Sequence, residues 1–267
     1  MISFGEFAVA GGFGSTIFSA VWEITHSITL VKSTKTLREE ILTLRKKEKQ
    51  TVKTAAYGVS VENLKVTYDE GQTITYPNFT IKPGEKVLLT GDSGTGKSTL
   101  FKALLGKIET KCGKITYFDK ESQPITNASL GYVPQDPIVF PISIKDNITM
   151  FVKRTEKQLM NVVKNVELKS DLDKMPSGID TVVNLKKNNL SGGQRQKIVL
   201  ARSEIYNQPF VLMDEVTSAI DQKATEEIIT ALLKTDQTIL MIAHNFTPEL
   251  RAKFDQEIRL AKKGEEE

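Results

Sequence analysis

Hydrophobic and polar positions change their rhythm several times along the chain. Residues 1–31 contain no Lys or Arg and are rich in Phe, Ile, Val, Ala and Gly, and a run of that length spans a bilayer. Lys32, Lys35, Arg38, Arg45, Lys46 and Lys47 follow the run rather than precede it. That order predicts a membrane span whose C-terminal end is cytoplasmic, and it does not suit a secretory signal. Ala10, Gly14, Ser15 and Ser19 place small residues three and four apart, as packed membrane helices prefer. Glu6 falls near the outer interface, and Glu23 and His26 suggest a face turned toward a protein interior or a water-filled cavity. The run is only moderately hydrophobic, so a buried helix of a soluble domain is the competing reading. Leu37, Ile41 and Leu44 keep helical spacing among charges, which extends the helix to about Lys49. Residues 51–58 have no strong period, and a boundary near residue 52 divides the chain into 1–50 and 51–267.

From Val59 the period becomes two. Val59, Val61, Leu64, Val66 and Tyr68 predict a strand that turns at Asp69-Glu70-Gly71 into Thr73–Tyr76 and Phe79–Ile81. Pro83-Gly84 marks a turn before the apolar run Lys86–Thr90. Short β-like runs follow at Lys114–Phe118 and Ser129–Val133, and then a mostly helical, polar stretch over about 143–189. Helix and strand alternate after that: Gln194–Tyr206, Phe210–Asp214, Lys223–Leu233, Thr238–Ala243, Pro248–Phe254 and Glu257–Leu260. Thr247-Pro248-Glu249 is a helix start, with a capping hydroxyl, proline in the first turn and an acid behind it.

Composition changes this picture little. With 267 residues there is ample chain to bury a core, and the formal charge of +3 is mild. The lysines are scattered with no aromatic-interleaved basic face, so no nucleic acid is expected as a partner. Cys112 is the single cysteine, which excludes an intramolecular disulfide, fits a reducing cytosol and suggests a small apolar filler. Two histidines and one cysteine are too few for a zinc site of the usual spacing.

The chemistry is concentrated in Gly91-Asp92-Ser93-Gly94-Thr95-Gly96-Lys97-Ser98-Thr99, which follows an apolar strand and opens a helix. It matches G-x-x-x-x-G-K-[ST]. Glycines let consecutive backbone N–H groups converge on a phosphate, and the helix start adds its positive end. Lys97 is placed to reach the β- and γ-phosphates and the Ser98 hydroxyl to ligate Mg²⁺. Phe210–Glu215 is an apolar strand ending in two carboxylates: the first suits a magnesium shell, the second can orient or deprotonate an attacking water. Leu190-Ser191-Gly192-Gly193-Gln194 opens another helix and can offer N–H groups and a hydroxyl to an anion. Taken singly, the last two are an acidic strand end and a turn before a helix.

Taken together and in this order, the motifs resemble the ATP-binding cassette (ABC) family over residues 59 to 260. Gly91–Thr99 resembles its Walker A loop, Phe210–Glu215 its Walker B strand and Leu190–Gln194 its signature. Gln135 in Tyr132-Val133-Pro134-Gln135-Asp136 resembles the Q-loop glutamine. Ser218-Ala219-Ile220-Asp221 resembles the D-loop, with Ile220 where leucine is usual. His244 resembles the switch histidine, and Tyr68 falls where the family stacks an aromatic ring on adenine.

The resemblance implies an α/β phosphate-loop cassette: a mixed-sheet core, an antiparallel β-subdomain and an inserted helical subdomain. One long N-terminal helix precedes it, similar to the last transmembrane helix of exporter-type half-transporters. It implies an ATPase that powers export, with ATP and Mg²⁺, sited at the cell membrane with the cassette on its cytoplasmic face. Two cassettes, identical or different, would close head-to-tail, each ATP lying between one Walker A loop and the partner's Ser191–Gln194. Glu215 would be the general base, His244 would hold the γ-phosphate and the water, Asp221 would sit in the D-loop, and Ser98, Gln135 and Asp214 would surround the metal. The five preceding helices of such a transporter are not in the sequence, which therefore reads as a fragment or a truncated frame. Thr181–Lys187 begins like the family's T-x-V-G-E-R-G segment and loses Gly-Glu-Arg-Gly, which bears on how ATP events reach a membrane domain. A soluble ABC clamp and a non-hydrolysing cassette are the other readings; residues 1–31 weigh against the first, and Glu215 with His244 against the second.

Overall fold

The computed structural model describes residues 18–26, 29, 53–67, 73–110, 112–243 and 246–261. The chain separates into two compact units, Met1–Val52 and Lys53–Glu267. In the first, residues 18–26 and 29 are helical. Phe18, Val21, Trp22 and Ile24 are exposed there, and Thr25 and Thr29 return their hydroxyls to the carbonyls four residues back. Among the described residues no helix is long and apolar enough to cross a membrane. Most of the span expected over 1–31, and its extension to Lys49, lies outside the described residues.

The second unit begins with strands β1 (Thr54–Ala55), β2 (Gly58–Thr67), β3 (Thr73–Thr75), β4 (Phe79–Ile81) and β5 (Lys86–Gly91), then helix α1 (Lys97–Leu104). Strands β6 (Cys112–Phe118), β7 (Pro124–Ile125), β8 (Ala128–Ser129) and β9 (Gly131–Val133) follow, then helices α2 (Ile144–Thr149), α3 (Glu156–Asn165), α4 (Lys169–Leu172) and α5 (Gly192–Tyr206). The chain closes with β10 (Phe210–Asp214), α6 (Gln222–Leu233), β11 (Thr238–Ile242), α7 (Pro248–Arg251) and β12 (Gln256–Leu260).

Five strands form the central sheet in the order β12-β5-β11-β10-β9. Every pairing among them is parallel, whereas the sequence led us to expect a mixed core. Among these strands antiparallel pairing is confined to a second sheet, β3-β2-β6-β7 with β4 also on β2, and a single antiparallel bridge joins Ser143 to Val182 elsewhere. The parallel strands are buried on both faces, so they read as continuous apolar runs such as Phe210–Met213. Their alternation still divides the interior in two. Leu88, Val211, Met213, Ile239 and Met241 face one cluster, built with the helices after β9. Val87, Leu89, Phe210, Leu212, Leu240 and Ile242 face the other, built with α1 and the antiparallel strands.

Local sequence explains most boundaries. Thr155 and Gln158 form a capping box at the start of α3, and Ser191 and Gln194 form another at α5. The second box draws Gly192 and Gly193 into the first turn, so α5 begins two residues before the apolar pattern predicts. Thr247 accepts from the Leu250 N–H with Pro248 in the first turn, as its sequence predicts. That helix ends at Arg251, three residues short of the expected Phe254. The stretch over 143–189 is less helical than expected: beyond α4 only a 3₁₀ turn, Gly178–Asp180, follows. Residues after it are held by a short backbone bridge, with Val183 N–H on the Ile142 carbonyl at 3.0 Å, and by side chains, with Asn184 N–H on Asn189 Oδ1 at 2.7 Å and Asn189 Nδ2 on the Val182 carbonyl at 3.0 Å. Cys112 is exposed at the start of β6 and does not act as core filler.

Candidate active site

Parallel strands bring their C-terminal ends to one edge of the sheet, and the turn out of β5 meets the ends of β9 and β10 there. Gly96 caps α1 with φ +95, a left-handed conformation that costs a glycine nothing. A Cβ at Gly96 would lie 2.9 Å from the Tyr76 hydroxyl, and that hydroxyl donates to the Gly96 carbonyl at 3.0 Å. Tyr76 thus ties the antiparallel sheet to the loop, a role twenty residues away in sequence that no motif announces. Within the loop, Thr95, Lys97 and Thr99 are buried and Asp92, Ser93, Gly94 and Ser98 are exposed. Thr95 closes the turn by donating to the Asp92 carbonyl at 2.9 Å.

Lys97 folds back over this loop, its ammonium donating to the carbonyls of Gly91 at 2.6 Å and Asp92 at 2.9 Å. Burial pushes its pKa below the ordinary value, while the carboxylates of Glu215, Asp92 and Asp214 pull it back. Asp214 ends β10 and is buried. Burial, and then the neighbouring Glu215, raise its pKa; Ser98, Lys97 and Tyr132 act in the opposite direction. The Ser98 and Tyr132 hydroxyls face this carboxylate, yet Asp214 Oδ1 is buried with no hydrogen-bond partner. A buried carboxylate oxygen without a partner is costly. Beside an exposed serine hydroxyl at the start of α1, it suits a hard divalent cation with oxygen ligands. The donor set therefore fits magnesium.

Tyr132 pairs with Leu212 in register on the parallel strands, so it projects to the same face as Leu212 and Asp214. Phe101 packs edge-on to its ring at 6.4 Å, and the Lys107 ammonium lies 5.1 Å from the ring centroid. The position of Tyr132 beside Asp214 follows from strand register and is not announced by any motif.

The chain turns sharply after Asp214. Glu215 has φ +48, a left-handed backbone that is uncommon outside glycine and asparagine. The turn sends the two adjacent carboxylates in different directions. Gln135, beyond the end of β9, donates its Nε2 to Glu215 Oε2 at 2.8 Å. A cleft of about 420 Å³ opens beside Glu215, lined also by Thr217, Ser218, Ile220, Gln222, Thr225 and Phe246.

Ser191, Gly192, Gly193 and Gln194 form the first turn of α5. Ser191 Oγ accepts from the Gln194 N–H at 3.1 Å, and Gln194 Oε1 accepts from the Ser191 N–H at 2.9 Å. The turn holds no acidic residue, and the N–H groups of its glycines can face an anion. A Cβ at Gly193 would lie 2.7 Å from the Ala219 carbonyl oxygen. Gln196, buried one turn on, donates to Ser218 Oγ at 3.0 Å and accepts from the Ala219 N–H at 3.0 Å. The helix that carries the glycines is thereby bound to the loop leaving Glu215. Asp221 caps α6 by accepting from the Ala224 N–H at 3.0 Å. Tyr68 and His244 lie outside the described residues.

A glycine loop, a buried lysine and a buried aspartate at the strand ends define a phosphate-loop nucleotide-binding site. The family profile for the ABC transporter matches residues 74–218. The chain belongs to the ABC transporter family and carries its ATPase cassette. It is 35% identical over 195 residues to the mesentericin-Y105 transport/processing ATP-binding protein of Leuconostoc mesenteroides, covering 68% of this chain and 26% of that one. It is 34% identical over 202 residues to a multidrug resistance-like ATP-binding protein of Buchnera aphidicola, covering 73% of this chain and 35% of that protein. A bacterial Atm1-family ABC exporter with ATP bound matches in structure with TM-score 0.67 and 27% identity, over 78% of this chain and 37% of that one. The chain spans about a quarter of the length of the first of these two curated relatives and about a third of the second.

Proposed function

We propose that this chain hydrolyses ATP to drive export across the cell membrane, its cassette lying on the cytoplasmic face and docked on a transporter's membrane domain. Two cassettes close head-to-tail, each nucleotide lying between one Gly91–Thr99 loop and the partner's Ser191–Gln194. The observation that carries the reading is the partnerless buried Oδ1 of Asp214 beside Ser98 and Lys97 at the end of the phosphate loop. Ser98, Asp214 and Gln135 would hold magnesium, directly or through water, and the bound ion would offset the charge of the phosphates.

The remaining steps belong to the chain's own residues. Gly91–Thr99 wraps the phosphates with its N–H groups, and Lys97 leaves the Gly91 and Asp92 carbonyls to bind the β- and γ-phosphates. Tyr68 stacks on the adenine. Glu215, released from Gln135, takes a proton from the water that attacks the γ-phosphorus, and the bond to the β-phosphate oxygen breaks to give ADP and phosphate. His244 holds that water and the γ-phosphate. Ser191, Gly192, Gly193 and Gln194 stabilise the transferring group from across the interface, and Asp221 sets the start of α6 behind the D-loop. The relatives' names point to different cargoes, so the reading extends to the motor step and not to a substrate.

Glu215→Gln tests it. Turnover should fall by about 10²-fold or more, the usual cost of losing a positioned base, with ATP binding retained and an ATP-dependent dimer accumulating on size-exclusion chromatography. A Glu215→Gln chain that turns over ATP at the parent rate removes Glu215 from the base role. Parent protein that binds ATP and releases no phosphate instead favours an ATP-gated clamp.

A further inference from the structure

The signature turn is supported from outside its own helix. Gln194 Nε2 donates to Asp171 Oδ1 on α4 at 3.1 Å. Its other amide atom is already committed to the Ser191 N–H, so the orientation of the Gln194 side chain is fixed at both ends. Asp171 Oδ2 in turn receives Lys197 Nζ at 2.8 Å, and the same ammonium donates to the Glu167 carbonyl at 2.9 Å. The ion pair is largely shielded, with 11% of the lysine side chain and 20% of the aspartate side chain exposed.

We infer that Asp171 and Lys197 are positioning residues for the turn Ser191–Gln194, holding it open for the nucleotide of a partner cassette. This rests on the head-to-tail reading above. A carboxylate beside the first turn of a helix is attracted to the same N–H groups that would receive a phosphate. Lys197, one turn along α5 from Gln194, neutralises Asp171 and holds it to the side-chain amide. The backbone N–H groups of Gly192 and Gly193 are then left for the nucleotide. Asp171 without Lys197 is a competing anion, and Lys197 without Asp171 is a shielded cation lacking its partner.

The test uses the full chain in detergent with Glu215→Gln in every variant, so that ATP is not consumed. Two quantities are measured: ATP affinity at a protein concentration too low for dimers, and the ATP concentration giving half-maximal dimer. Asp171→Ala should raise the dimer midpoint about tenfold, the scale of losing a hydrogen bond to a charged group, and leave the monomer's ATP affinity unchanged. Lys197→Met should raise the midpoint at least as far. Adding Asp171→Asn to Lys197→Met should recover most of that loss, because the asparagine keeps an oxygen for Gln194 without the charge. A parent midpoint in Asp171→Ala overturns the inference, as does a double variant no better than Lys197→Met. Parallel loss of monomer affinity marks general damage to the fold and also overturns it. A Glu215→Gln parent that never dimerises defeats the head-to-tail reading and this inference with it; normal parent dimerisation with indifferent variants defeats this inference alone.

Discussion

At the scale of single residues, the site is built from contacts between positions far apart in the chain. Gln135 reaches Glu215 across 80 residues and Gln194 reaches Asp171 across 23. Motif spacing made the positions of Lys97, Asp214 and Glu215 legible, because they follow from where a strand ends and a helix starts. It could not reveal Tyr76, Tyr132 or Asp171, which matter through what the fold sets beside them. Gly193 was legible as a glycine that leaves its N–H open, but its second constraint comes from the carbonyl of Ala219 against it. Gly193→Ala must move one of two backbones. It should cost about 1–3 kcal/mol of stability, the range for overpacking a tight contact, and shift the loop that leaves Glu215. Chemical denaturation of the nucleotide-free protein measures the first effect. An unchanged midpoint would mean that the loop yields freely.

At the scale of elements, β5 and β10 were readable to within a residue, since long apolar runs bounded by turns leave little choice. Helix α7 was overestimated because Leu250 and Phe254 share a helical period, yet the chain leaves the helix after Arg251 to form β12. The packing of α3 on α5 carries a charge that no sequence pattern exposes. Asn165 Nδ2 donates to the Glu204 carboxylate, and burial raises the pKa of Glu204 while that hydrogen bond lowers it. The folded pKa lies above the unfolded value, so the ionised carboxylate costs stability at neutral pH. That cost fades as pH falls through the raised pKa and is gone below the unfolded value. Glu204→Gln keeps an oxygen for Asn165. Its melting temperature should therefore exceed the parent's at pH 8, with the difference closing toward pH 4. A difference that widens in acid would reverse the assignment.

At the scale of the whole cassette, two hydrophobic clusters share one parallel sheet. The order of apolar runs predicted strands and helices, and the resemblance predicted the lobes; the side of the sheet to which each helix packs depends on pairings that no local pattern encodes. Phe101 on α1 is fully buried in the cluster with the antiparallel strands. Phe101→Ala should cost about 3–5 kcal/mol, measurable by denaturant unfolding, and the loss should exceed that of any exposed substitution on the same helix. The alternation along the central strands also has a consequence for descent. Met213 and Met241 serve only the helical side, while Leu212 and Leu240 serve only the side with the phosphate loop. Odd and even positions of one strand thus answer to different neighbours and can drift separately. A change of volume at Met213 or Met241 is met by the helices after β9, and one at Leu212 or Leu240 by α1 and the antiparallel strands, so either neighbour can be refitted without disturbing the other.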